Sequence, residues 1–73
     1  MKVKIRLDTG NDAVQFSNVC SKLDGKITVT DNKGLRINAK SIIGMIYALE
    51  FEELWCESEE DIYMHIADFV VID

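Results

Sequence analysis

The sequence predicts an α+β domain of two layers, a four-stranded sheet with helices on one face and its other face open. Three observations point there. Short segments alternate apolar and polar residues, so each strand has only one side to bury. Between them lie segments whose apolar residues recur three and four apart, the period of a helix packed by one stripe. The chain has 73 residues, which allows one domain that buries roughly 60% of its extended-chain surface.

The elements follow in order. Val3, Ile5 and Leu7 alternate with Lys2, Lys4, Arg6 and Asp8, a half-buried first strand. Thr9-Gly10-Asn11 reads as a turn. Asp12 with Gln15 is expected to cap a first helix, whose stripe is Ala13, Phe16, Cys20 and Leu23. Asp24-Gly25 ends that helix. Ile27 and Val29 alternate with Thr28 and Thr30, and Asp31-Asn32-Lys33-Gly34 turns the chain back into Leu35 and Ile37 as a hairpin. A short apolar helix follows from Ser41, then a fourth strand in which Leu54 and Cys56 alternate with Trp55 and Glu57. Ser58-Glu59-Glu60-Asp61 reads as a capping box for a last helix buried through Ile62, Ile66, Phe69 and Val70. The order is β-α-β-β-α-β-α.

Composition narrows the function classes. The chain is 48% hydrophobic and 29% charged, with no proline, which suits a folded domain and argues against disorder. Met1 and Lys2 lead straight into a strand pattern, leaving no space for a signal peptide. The uncharged run Ile42 to Leu49 is far short of the ~20 residues of a membrane helix. A cytoplasmic protein is expected. Cys20 and Cys56 have neither metal-ligand nor redox spacing, and fall on inward faces as core thiols. No cofactor and no metal site is expected.

The net charge of −5 is unevenly spread. All eight Lys and Arg lie at or before Lys40, among four acids, whereas nine acids and no base follow from Ser41. Such asymmetry either steers an oriented encounter with a partner or draws the two halves together in the fold.

The most informative segment is Lys40-Ser41-Ile42-Ile43-Gly44-Met45-Ile46. Ser41 is a natural N-cap, and the apolar residues after it are too many for an ordinary surface helix and too few for a core one. A short apolar helix at a surface suggests a site that another protein covers.

That segment, set after a hairpin in this element order, resembles HPr, the histidine-containing phosphocarrier family of the bacterial sugar phosphotransferase system. Ala13-Val14-Gln15-Phe16 is similar to the start of the family's first helix, and Gly25-Lys26-Ile27-Thr28-Val29 to its second strand. Lys40 to Ile46 resembles the regulatory-serine segment of the Gram-positive members. The resemblance implies an open-faced β-sandwich with antiparallel strand order 1-4-2-3 and all helices on one face. It also implies Ser41 as a regulatory phosphorylation site. Ile42, Ile43 and Ile46 would be exposed partner-binding residues beside Lys40, and Met45 a buried one.

One departure is as informative as the match. The family carries its phosphorylatable histidine, with an arginine beside it, between the first strand and first helix. Here that connection is Asp8-Thr9-Gly10-Asn11-Asp12, shorter and without histidine, arginine or lysine. A helix N-terminus attracts phosphate through unpaired N–H groups. Asp12 is expected to occupy those donors as a cap, and Asp8 adds a second negative charge. The phosphohistidine site reads as absent, and no catalytic residue is assigned.

Other residues have plainer readings. His65, the one histidine, is expected partly buried at the border of the last helix's stripe. Lys2, Lys4, Arg6, Lys26, Arg36 and Trp55 are expected on the open sheet face, with Thr28 and Thr30 between them. One aromatic on a basic sheet is a weak stacking platform for single-stranded nucleic acid. A solvated face, with Trp55 under aliphatic stems, is the favoured reading. The functional expectation is therefore a non-catalytic HPr-like protein that binds other proteins through Lys40, Ser41, Ile42, Ile43 and Ile46. The resemblance implies a serine kinase or a transcriptional regulator as partners, with neither nucleic-acid binding nor membrane insertion expected. The alternative is a phosphocarrier in the phosphoenolpyruvate-dependent relay.

Overall fold

In the computed structural model, which describes residues 1–72, the elements are β1 (Lys2–Ile5), α1 (Gly10–Ser21), β2 (Ile27–Thr30), β3 (Arg36–Asn38), α2 (Ile42–Ala48), β4 (Leu54–Ser58) and α3 (Tyr63–Ile66). A 3-10 turn, Ala67–Phe69, continues from α3. The four strands form one antiparallel sheet in the order β1-β4-β2-β3, as expected.

Register turns the alternation of the strands into two surfaces. Val3, Cys56, Val29 and Ile37 line up across all four strands and face the helices. Ile5, Ile27 and Leu54 extend that apolar floor, and Ala13, Phe16, Cys20, Met45, Ala48, Ile62 and Ile66 close over it. On the other side the rows are Lys4-Trp55-Thr30-Arg36 and Lys2-Glu57-Thr28-Asn38. One side of every strand is therefore greasy and the other polar, so only one face needs a helical cover.

Two helix termini differ from their sequence reading. The N-cap of α1 is Thr9, not Asp12. The Thr9 hydroxyl accepts from the Asp12 N–H at 3.1 Å, and the Asp12 carboxylate accepts from the Thr9 and Asp8 N–H groups. This reciprocal capping box lets α1 start at Gly10, three residues earlier than an Asp12 cap allows. Leu23 falls beyond the end of α1 and is only half-buried, and Leu35 is exposed rather than inward.

The last helix is the larger correction. Ser58 does not cap it, because Ser58 is the end of β4. It pairs with Ile27, and its N–H donates to the Met1 carbonyl. The Ser58 hydroxyl instead bonds the Glu60 carbonyl, and Asp61 accepts from the Tyr63 N–H in a local turn. α3 is left with four residues and no side-chain cap. It stops early because the following chain is needed elsewhere. The Arg6 N–H donates to the Phe69 carbonyl and the Val71 N–H to the Lys4 carbonyl, so an extended Val70 faces Ile5 and covers the outer edge of β1. Phe69 meets Phe16 edge-to-face at 5.2 Å. His65 is exposed on α3, not partly buried.

The charged halves do attract one another. Lys2–Glu57, Lys4–Glu53, Lys33–Glu52 and Arg36–Glu57 each join the basic part of the chain to the acidic part. These pairs are solvent-exposed and add little stability. No helix among the described residues is long and apolar enough to cross a membrane.

Cys20 and Cys56 are fully buried and free, and burial pushes their thiols from 9.0 up to about 12 and about 11. The fold holds both protonated, whereas an unfolded chain ionises them near their ordinary value. Stability is therefore unaffected by these thiols below that value and falls as pH rises above it. The native protein should resist a thiol-specific chromogenic reagent at pH 8, and both cysteines should react at once in denaturant.

Candidate functional site

The surface around α2 is built from a tight corner. Asn38, the last residue of β3, accepts the Lys40 N–H on its side chain at 2.9 Å and the Ser41 N–H on its carbonyl at 3.0 Å. This turns the chain out of the sheet. The Lys40 ammonium reaches back to the Leu23 carbonyl at 2.7 Å and ties the corner to the end of α1. Ser41 then adopts an extended backbone, and its hydroxyl accepts from the Gly44 N–H at 3.1 Å, as an N-cap should.

Gly44 sets how closely α2 lies on the sheet. A Cβ at this position would stand 2.6 Å from Cγ2 of Ile37, on β3, and 3.2 Å from the Ser41 hydroxyl. Ile37 is β-branched and cannot swing that methyl aside without changing rotamer. Only glycine permits the approach.

The helix therefore has two apolar sides. Met45 and Ala48 are fully buried against the core. Ile42, Ile43, Ile46 and Tyr47 cover the opposite arc and face solvent, with Ile43 83% exposed. Tyr47 packs edge-to-face on Phe51 at 5.9 Å, which steadies the far end of the patch. The predicted Ile42, Ile43 and Ile46 thus stand together and outward beside a half-buried Ser41. Tyr47 was missed, although its place four residues after Ile43 puts it on the same helical face.

The start of α1 has a different chemistry. The Thr9 hydroxyl takes the Asp12 N–H and the Asp12 carboxylate takes the Asp8 and Thr9 N–H groups, while the Arg6 guanidinium is held by Asp8 at 2.7 Å, which raises its pKa. His65 sits on α3, and no histidine lies in this connection. Among the described residues, no group of three His, Cys, Asp or Glu is placed to hold a metal.

The open sheet face is covered by its own side chains. The Lys2 ammonium lies 5.5 Å from the centre of the Trp55 ring and bonds Asn32 at 2.6 Å. At 5.5 Å the ammonium and the ring make a cation–π contact. Arg36 bonds Glu57 at 2.6 Å and, with Lys2, holds that carboxyl below its ordinary pKa. Trp55 is half-buried beneath this network, and its indole N–H is buried without a partner.

Comparison with protein-family models, with curated proteins and with solved structures finds no match to this chain.

Two substitutions test the corner. Ser41→Ala should lower unfolding free energy by about 1 kcal/mol, whereas Ser41→Asp should retain the cap. Gly44→Ala gains up to ~1 kcal/mol of helix propensity but meets Ile37, an overpacking cost of about 1–3 kcal/mol. Denaturant midpoints should fall for Gly44→Ala alone. They should not fall for that change made in an Ile37→Ala background.

Proposed function

We propose that this chain is a non-catalytic, HPr-like protein-binding module that engages its partners through Ser41 and the outer face of α2. The observation that carries the reading is the pair of apolar sides on one seven-residue helix. Met45 and Ala48 already anchor α2 to the domain. Ile42, Ile43, Ile46 and Tyr47 have no such structural task, and a contiguous apolar patch of this kind lowers its free energy when another surface covers it.

The place of Ser41 adds a regulatory role. A phosphate on its hydroxyl would sit at the N-terminus of α2, beside the patch, and place about two negative charges at the edge of any complex. The modification would then change affinity without unfolding the helix. By the resemblance in Lys40 to Ile46, the partners are a serine kinase and a transcriptional regulator, and the role is control of sugar uptake in the bacterial cytoplasm.

The second reading is a phosphocarrier of the phosphotransferase relay. Against it stands the start of α1, where the Asp12 carboxylate already accepts from two backbone N–H groups, Asp8 adds a second negative charge, and no histidine is present.

Labelling separates the two readings. Phosphoenolpyruvate with enzyme I should leave the chain unlabelled, and ATP with the serine kinase should give an acid-stable label that Ser41→Ala removes. Acid-labile label lost in His65→Ala would establish the relay instead. Ile42→Lys and Ile46→Lys should keep the circular dichroism of the folded domain while losing capture of the regulator. Unfolding by either change would place these residues in the core.

A further inference from the structure

Five of the eight cations are paired with carboxylates: Lys2, Lys4, Arg6, Lys33 and Arg36. Lys22, Lys26 and Lys40 have no carboxylate within 4.0 Å among the described residues. All three lie at one end of the molecule. Lys22 caps the C-terminus of α1, Lys26 leads into β2, and the Lys40 ammonium bonds the Leu23 carbonyl between them.

A cleft of about 400 Å³ opens at this end, lined by Gly25, Lys26, Thr28, Arg36, Asn38 and Lys40 with the two adjacent isoleucines of β2 and β3. No acidic and no aromatic residue lines it. Asp24 lies in the same connection but outside the cleft. In a chain of net charge −5, a cleft bearing only positive charge attracts an acidic ligand. β3, which helps to line the cleft, is the terminal strand of the sheet: it pairs with another strand on one side only and gives its Asn38 carbonyl to the Ser41 N–H. An unpaired strand edge accepts an extended segment through main-chain hydrogen bonds.

We propose that this cleft seats an acidic, extended segment of a partner protein, laid along β3 with its carboxylates toward Lys26, Arg36 and Lys40. Main-chain pairing to the edge gives the segment its direction, and the cations select its charge. Arg36 keeps its bond to Glu57 and still has guanidinium donors to offer, since that bond uses one of five. The absence of any aromatic in the cleft removes the stacking that single-stranded nucleic acid needs. The cleft ends at Lys40, where α2 begins, so one partner reaches both surfaces. The proposal rests on the chain being a protein-binding module, but not on the outer face of α2 being the docking surface.

The test is titration of the isotope-labelled protein with a short synthetic peptide alternating Glu and Val, followed by amide shifts. Shifts should concentrate at Lys26, Thr28 and residues 36–40, and affinity should fall several-fold between about 50 and about 200 mM salt. Lys26→Glu should weaken binding by roughly tenfold, the effect of losing and reversing one exposed charge contact. Lys26→Gln should show a smaller loss in the same direction, and Lys33→Gln, an exposed cation outside the cleft, should bind the peptide as the parent does. Shifts at the cleft without shifts at residues 42–47 separate failure of the α2 surface from failure of the cleft. Shifts that map elsewhere, an absence of shifts at millimolar peptide, or equal binding of a Lys-Val peptide would overturn the proposal. So would matching shifts from inorganic phosphate or a short oligothymidylate at the same concentration.

Discussion

The contact between Gly44 and Ile37 is the constraint on which the exposed surface depends. With no side chain at position 44, α2 settles within reach of the Ile37 methyl and turns Met45 and Ala48 into the core. Seven residues make about two turns, so fixing the inward pair fixes the outward set as well. Ile42, Ile43, Ile46 and Tyr47 have nowhere to go but solvent. A small shift of α2 away from β3 would both loosen the core and let those side chains fold back.

The sheet makes that arrangement tolerable in a chain this small. The row Val3-Cys56-Val29-Ile37 runs under the helices, and no apolar residue is spent on the far face except Trp55. There Lys2 lies over the indole and is tied, as Arg36 is, to Glu57. The two faces divide the work. One holds the domain together, and the other is closed by its own ion pairs.

Much of this was legible in the sequence. Period-two alternation in Val3 to Leu7, Ile27 to Val29 and Leu54 to Cys56 specified both the strands and their buried side. The outward setting of Ile42, Ile43 and Ile46 was implied by the resemblance in Lys40 to Ile46, whereas the cap at Ser41 was read from the residue itself. The failures near the C-terminal end have one cause. Capping signals are local, and long-range pairing overrode them. Ser58-Glu59-Glu60-Asp61 has the residues of a capping box, but strand pairing with Ile27 and Met1 holds Ser58 in β4. Phe69 and Val70 fit a helical stripe, yet pairing with β1 draws them out of it. His65 lost its partial burial along with the longer helix. At α1 the signal was present but assigned three positions late, because Thr9 and Asp12 both suit a cap and only together form the box. The basic cleft was not legible at all, since Lys26, Arg36 and Lys40 are brought together only by the hairpin and the corner at Asn38.

The most direct measurement is solvent paramagnetic relaxation of methyl-labelled protein, with a soluble gadolinium chelate as the probe, at a concentration where the chain is monomeric. The methyls of Ile43 should relax nearly as fast as that of the exposed Met64, those of Ile42 and Ile46 should follow, and those of Met45, Ile27 and Ile66 should be protected. Protection of Ile42, Ile43 and Ile46 in the free monomer would contradict this arrangement, because those side chains would then belong to the core and α2 would have no outer face to offer.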